Sequence, residues 1–200
     1  MTDFISTLPP IGISGAKRSG KNTLGNFLAQ SLKSRGLSTR ALAFADPLRE
    51  ALYALDPYIA TGVRLQPVVD VVGWEGLKET AHESEVRRLL QHFGTDAIRA
   101  LDQTFWVRIT EDRIGAARQG GAVPVVTDVR FANESRMIAS LGGMVIHVTR
   151  DTVMSADGHS SEDVDKLPRH YTVPNDGDLA DLRIKAEHLI EMYTTHPRWA

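Results

Sequence analysis

The sequence predicts an α/β fold: a mostly parallel, five-stranded sheet with helices on both faces. Three observations predict it. Five short apolar runs that read as strands alternate with stretches of helical period, an order that favours parallel pairing through crossover helices. The first run opens into a glycine-rich turn that starts a helix. The 200 residues, 42% of them hydrophobic, suffice for one main α/β core with a small appended region.

After an irregular start ending in Pro9-Pro10, Ile11–Ser14 reads as the first strand. Leu24, Phe27, Leu28 and Leu32 recur at helical spacing up to Gly36, which predicts a helix over 21–35. Thr39–Ala45 reads as the second strand. Asp46-Pro47 then supplies a helix cap and a first-turn proline for a helix over 47–55, with Leu48, Leu52 and Leu55 on its buried face. Residues 56–81 have no clean period around their turn signals and read as an excursion from the core. Val86, Leu89, Leu90 and Phe93 predict an amphipathic helix from Glu83 that ends near Gly94, and Phe105, Val107, Ile109 and Ile114 mark another. Ala122–Thr127 is a strand that delivers Asp128 and Arg130 at its end, and its Pro124 argues for a place at the strand start or for an unpaired N–H position there. A helix over 132–141, a break at Gly142-Gly143 and a strand over 144–149 follow. The chain continues as a loop over 151–169, a strand over 170–174 and a helix over 178–193 with Leu182, Ala186, Leu189, Ile190 and Tyr193 inward. Strand C-termini then share one edge of the sheet, where ligands of such folds gather.

Composition excludes several partners. Twenty-three Lys and Arg against 25 Asp and Glu leave a net charge of −2, so nothing global favours DNA, RNA or an anionic membrane. The absence of cysteine excludes a disulfide framework and a thiolate-bound metal. With no apolar run of about 18 residues and no secretory pattern at the start, the expected location is the cytoplasm, or the host cytoplasm if the protein is viral.

The chemistry concentrates in Gly15-Ala16-Lys17-Arg18-Ser19-Gly20-Lys21, which has the Gly-x-x-x-x-Gly-Lys spacing between a strand and a helix. Glycines allow the backbone to turn around phosphates, exposed N–H groups donate to their oxygens, and the helix adds its positive end. Lys21 is placed to reach the β- and γ-phosphates of a nucleoside triphosphate. Asn22 stands where Ser or Thr usually meets Mg²⁺; Thr23 follows but points elsewhere on the helix, so Asn22 is the candidate contact, directly or through water. Asp128 reads either as a group at Mg²⁺ or the acceptor, or as a cap or partner of Arg130. Asp46 reads as a helix start or as an acceptor-orienting carboxylate acting with Arg49. Lys17, Arg18, Arg49, Arg99, Arg130, Arg150 and Arg169 are the candidate cations for transfer between two phosphorylated molecules. His159, with no paired ligand nearby, points to no metal site.

Ser14–Thr23, Ala43–Arg49, Leu90–Arg99, Phe105–Val107, Thr127–Glu134 and His159–Glu162, in this order, resemble the deoxynucleoside monophosphate kinases of tailed bacteriophages. The resemblance implies a three-layer αβα P-loop NTPase fold and a homodimer, with ATP as donor, Mg²⁺ as cofactor and a deoxynucleoside monophosphate as acceptor. It implies donor contacts from Gly15 through Thr23, and from Arg150 and Asn175 near the base. It puts Asp46, Arg49, Gln91, Thr95, Arg99 and Trp106 on the acceptor side, with 56–104 as an acceptor-binding subregion. Asp128 and Arg130 would lie between the substrates, and 151–169 would be a closing lid. The family commonly has Asp where this chain has Asn22. Two other readings stay open: a P-loop kinase of another acceptor such as dephospho-coenzyme A or a sugar acid, and a nucleotide-binding switch or assembly protein that is no kinase.

Overall fold

A computed structural model describes residues 8–151 and 164–196 of the chain. Its contacts divide it into two compact units, Met1–Phe44 with Thr110–Ala200, and Ala45–Ile109.

The first unit is built on a five-stranded sheet of β1 (Ile11–Gly15), β2 (Ser38–Leu42), β5 (Ala122–Val129), β6 (Met144–Thr149) and β7 (Tyr171–Pro174). The strand order is β2-β5-β1-β6-β7 and every pairing is parallel. Side chains alternate across a strand. Ile11 and Ile13 of β1, with Val123 and Val125 of β5 and Ile146 and Val148 of β6, therefore share one face. There they pack in one cluster with Leu24, Leu28 and Leu32 of α1 (Lys21–Ser34) and Leu182, Ala186 and Ile190 of α7 (Leu179–Thr195). Gly12 points to the other face, where an added Cβ would meet Ile138 of α6 (Ala132–Ser140) at 3.3 Å. Ser14 also points there, and its buried hydroxyl lies 2.9 Å from His147 Nδ1, so neither polar group is left unsatisfied.

The pairing of β1 with β5 is irregular: Gly12 lies opposite Val126, but Ser14 lies opposite Val129. The extra β5 residue is a bulge, which locally re-aims side chains. It turns Val129 towards Gly12. The strand expected over 122–127 therefore runs on to Val129, and Pro124 sits inside it, opposite Arg40 of β2. The strand expected over 39–45 stops at Leu42, because the Phe44 N–H leaves the ladder and donates to Asp128 Oδ1 at 2.7 Å.

The second unit begins with α2 (Asp46–Leu55). Asp46 is its first residue rather than its cap, and no side chain caps this end. Leu55 is 60% exposed, not buried as expected, because the helix stops there and Asp56 turns into the left-handed region at φ 45°. The expected excursion is ordered: a hairpin of β3 (Tyr58–Ala60) and β4 (Val63–Arg64) leads into α3 (Leu65–Gly76). Its punctuating residues explain the missing period. Gly62 turns the hairpin at φ 74°, Pro67 lies in the first turn of α3 where no N–H is needed, and Gly73 kinks that helix at φ 68°. Leu52, Ile59, Leu65, Leu77 and Val86 form the unit's own core.

Gly94 does not end α4 (Glu83–Gln91). The chain continues as a π-helix over His92–Arg99, and α5 (Phe105–Gln119) follows. The wider winding has two visible supports. Gly94 lies so close to Leu48 of α2 that a Cβ would sit 2.5 Å from Leu48 Cδ2, and the Gly94 carbonyl accepts the Trp106 indole N–H at 3.0 Å. Of the loop expected over 151–169, residues 152–163 lie outside the described residues. Val164 and Leu167 are buried, and the Ser135 hydroxyl donates to the Pro168 carbonyl.

Gly143 follows the left-handed Gly142 (φ 78°), and a Cβ on it would run into the backbone carbonyls of Pro10 and Ile138. Gly143→Ala is therefore expected to cost about 1–3 kcal/mol in urea unfolding, the usual cost of overpacking. Gly36→Ala, in open space at φ 79°, is expected to lose only about 1 kcal/mol of stability, through added backbone strain.

Candidate active site

The loop between β1 and α1 turns through three positive-φ residues, Gly15 (143°), Arg18 (65°) and Gly20 (101°). The glycines are also sterically required. A Cβ at Gly15 would collide with the Val148 carbonyl oxygen and lie 2.7 Å from Ser19 Oγ, and one at Gly20 would strike the Asn175 side-chain amide. Ser19 N donates to Ala16 O at 3.2 Å and closes the turn. Lys21 Nζ donates to the carbonyls of Gly15 and Ala16 at 2.7 and 2.6 Å, so its ammonium lies against the loop. Lys17, Arg18 and Asn22 are exposed, and Thr23 is half-buried. No acidic residue stands in the first turn of α1, so no carboxylate there offsets the helix's positive end.

Asn175 is 7% exposed and directly touches this loop: its Nδ2 donates to the Ser19 carbonyl at 2.8 Å, while its own N–H donates to Thr149 O at 2.8 Å. Asp128 is half-buried at the end of β5, with Oδ1 accepting from Phe44 N. Arg130 is exposed just beyond β5, and Arg150 just beyond β6. Because β1, β5 and β6 are parallel neighbours, these positions and the loop lie at one edge of the sheet.

Sequence reasoning gave no role to Glu134, which is 1% exposed. Its Oε2 accepts the backbone N–H of Arg130 at 2.7 Å and of Phe131 at 3.1 Å, fixing the chain just after Asp128. The readable signal was a glutamate three residues after Phe131, the residue before the helix, half of a capping box.

In the second unit, Arg49 Nη1 lies 3.7 Å from Asp46 Oδ1, and its guanidinium sits 5.9 Å from the Trp74 ring centroid. Trp74 had no sequence signal, since it lies beyond the Gly73 kink. Gln91 ends α4, and Thr95 and Arg99 are half-buried on the π-helix. Trp106 is 5% exposed and its N–H is taken by Gly94 O, so its ring shapes the π-helix from inside instead of presenting an open stacking face. A surface depression of about 450 Å³ in this unit is lined by Tyr58, Ile59, Thr61 and Glu85 and holds none of the expected site residues.

The parallel sheet with its central strand entering a glycine-lysine loop and helix defines a P-loop nucleotide-binding protein of the kinase type. Comparison narrows the class. The family described as deoxynucleotide monophosphate kinase matches residues 63–186. The chain is 30% identical over 165 residues to a putative deoxynucleotide monophosphate kinase of Acanthamoeba polyphaga mimivirus, covering 76% of this chain and 79% of that protein. It is 32% identical over 134 residues to the deoxynucleotide monophosphate kinase of Escherichia phage RB69, covering 61% of this chain and 53% of the phage protein. Among solved structures, a sugar kinase from Janibacter sp. HTCC2649 gives a TM-score of 0.48 at 14% identity, covering 92% of this chain and 95% of that one. The chain belongs to the deoxynucleotide monophosphate kinase family. It is a P-loop phosphotransferase for a small nucleotide-like acceptor, and ATP dependence follows from the family. No helix of the described residues is long and apolar enough to cross a membrane.

Glu134→Ala leaves two amides without their acceptor in a buried place, and is expected to lower the unfolding free energy by about 2 kcal/mol. Glu134→Gln keeps an oxygen there and is expected to lose less; denaturant midpoints and phosphoryl-transfer rates of the two variants check the order.

Proposed function

We propose that the chain transfers the γ-phosphoryl group of ATP to the 5′-phosphate of a deoxynucleoside monophosphate, releasing the diphosphate and ADP. The observation that carries this reading is the phosphate loop itself: two sterically obligatory glycines, an uncompensated helix start, and Lys21 held against the loop's carbonyls. In the first unit, the loop amides and Lys21 hold the donor's polyphosphate, and Lys21 offsets charge at the bridging oxygen as the bond to the γ-phosphorus breaks. In the second unit, Arg49 binds the acceptor phosphate, with Asp46 and Trp74 restricting its guanidinium; Gln91, Thr95 and Arg99 serve the rest of the acceptor. An α-phosphate oxygen of the acceptor attacks in line. That oxygen is already anionic near neutral pH, so no general base is needed; alignment and charge neutralisation are the protein's contribution.

The residues present fit Mg²⁺ brought in with the nucleotide. Among the described residues no cluster of three His, Cys, Asp or Glu could form a protein-only metal site. Mg²⁺ commonly takes one or two protein ligands and completes its shell with phosphates and water. Asn22 on the first turn of α1 and Asp128 at the end of β5 are such sparse oxygen donors. Bound there, the ion would neutralise charge on the β- and γ-phosphate oxygens.

The deciding measurement is a coupled diphosphate-production assay with ATP across the four standard deoxynucleoside monophosphates, their ribose counterparts and dephospho-coenzyme A. Turnover of at least one deoxynucleotide is expected, and turnover of dephospho-coenzyme A alone would overturn the reading. In the same assay Lys21→Met is expected to lose about 10²–10³ in kcat. Arg49→Ala is expected to raise the KM of the acceptor and leave that of ATP unchanged.

A further inference from the structure

We infer that Asn175 is a positioning residue of the phosphate cradle, acting through the Ser19-Gly20 peptide and not through the nucleotide base. The inference rests on the loop being the donor site. A trans peptide is planar, with its carbonyl and the following N–H on opposite sides, and the chain has no cis peptide among the described residues. Asn175 Nδ2 holds the Ser19 carbonyl at 2.8 Å. The Gly20 N–H is thereby directed away from Asn175, and rotation of that peptide would break a buried hydrogen bond. Donation to the carbonyl also polarises the peptide, which strengthens the Gly20 N–H as a donor.

Three features make this a built arrangement. Asn175 is 7% exposed, so the bond is shielded from competing water. Gly20 has no Cβ where one would strike the Asn175 amide, and its φ of 101° is one that L side chains rarely adopt. The turn that carries Asn175 is itself tied down on both sides: Asn175 N donates to Thr149 O, Lys185 Nζ donates to Pro174 O at 2.8 Å, and Asp176 Oδ1 accepts from Asp151 N at 2.8 Å. Asp178 then caps α7 by accepting from Asp181 N. A side chain locked by its own support transmits that order to the group it holds. The residue thus serves every phosphate tail alike, whatever base is attached.

The test is calorimetric titration of the full chain with inorganic tripolyphosphate and, separately, with Mg-ATP, for wild type, Asn175→Ala and Asn175→Asp. Loss of one buried hydrogen bond of this kind is expected to weaken both ligands by the same factor, about tenfold, in Asn175→Ala. Asn175→Asp is expected to weaken them further, since a carboxylate would face the Ser19 carbonyl oxygen and add negative charge beside the loop. The acceptor KM at saturating ATP is expected to hold. Amide exchange of the Mg-ATP complex supplies the second readout: in Asn175→Ala the phosphate-bound Gly20 amide should exchange faster while those of β1 and β6 keep their protection. Weaker ATP with unchanged tripolyphosphate would overturn the inference in favour of a base contact. General loss of protection across β1 and β6 would overturn it in favour of a fold-wide role. A wild-type chain that binds neither ligand would overturn the donor site itself, and the inference with it.

Discussion

The first unit depends on β1 being hydrogen-bonded on both edges. Each of its five residues is buried, with β5 on one side and β6 on the other, all parallel. A strand fixed in this way ends in a fixed direction, so the loop that leaves it at Gly15 starts from a rigid origin. The loop then has little freedom of its own: Val148 closes in over Gly15, Asn175 over Gly20, and Lys21 folds back on two carbonyls. Amides held so do not need to reorganise when an anion arrives, which is the main way a protein stabilises transferred phosphoryl charge.

The neighbouring strand contributes through an irregularity. A regular β5 would place Asp128 by simple alternation from Val126; the bulge opposite Gly12–Ser14 shifts that count by one. The carboxylate then accepts the Phe44 N–H, and Glu134 holds the next two amides. Three backbone donors at the sheet edge are thus satisfied by two carboxylates, and the order reaches Arg130, an exposed residue. The fold thus fixes the backbone of this cation at the sheet edge.

How much of this could be read beforehand differs by element. The glycine-lysine loop was legible because its chemistry is local: spacing, a preceding apolar run and a following helical period all lie within Ile11–Ser34. The five strands and the inward face of α7 were legible for the same reason. Gly94 misled because its turn preference is local, while the π-helix depends on Leu48 and Trp106 from elsewhere in the unit. Leu55 misled because periodicity does not know where a helix stops. Residues 56–81 resisted because Gly62, Pro67 and Gly73 break the period at the very places where the structure uses them. Asn175 entered through the family resemblance alone, because its partner lies 156 residues away and only folding brings the two together.

Charge completes the argument about Asn22. The first turn of α1 has no acid, the helix start is positive, and Lys17, Arg18 and Lys21 stand within the same loop. A carboxylate at position 22 would partly neutralise that field and attract a metal ion of its own; an amide does neither. The cradle is therefore biased towards polyphosphate first. Under the function proposed above, a metal ion held here would draw mainly on the oxygens the nucleotide brings. On that proposal, an amide at position 22 would leave the ion's counter-charge to the substrate and so tie metal binding to nucleotide binding.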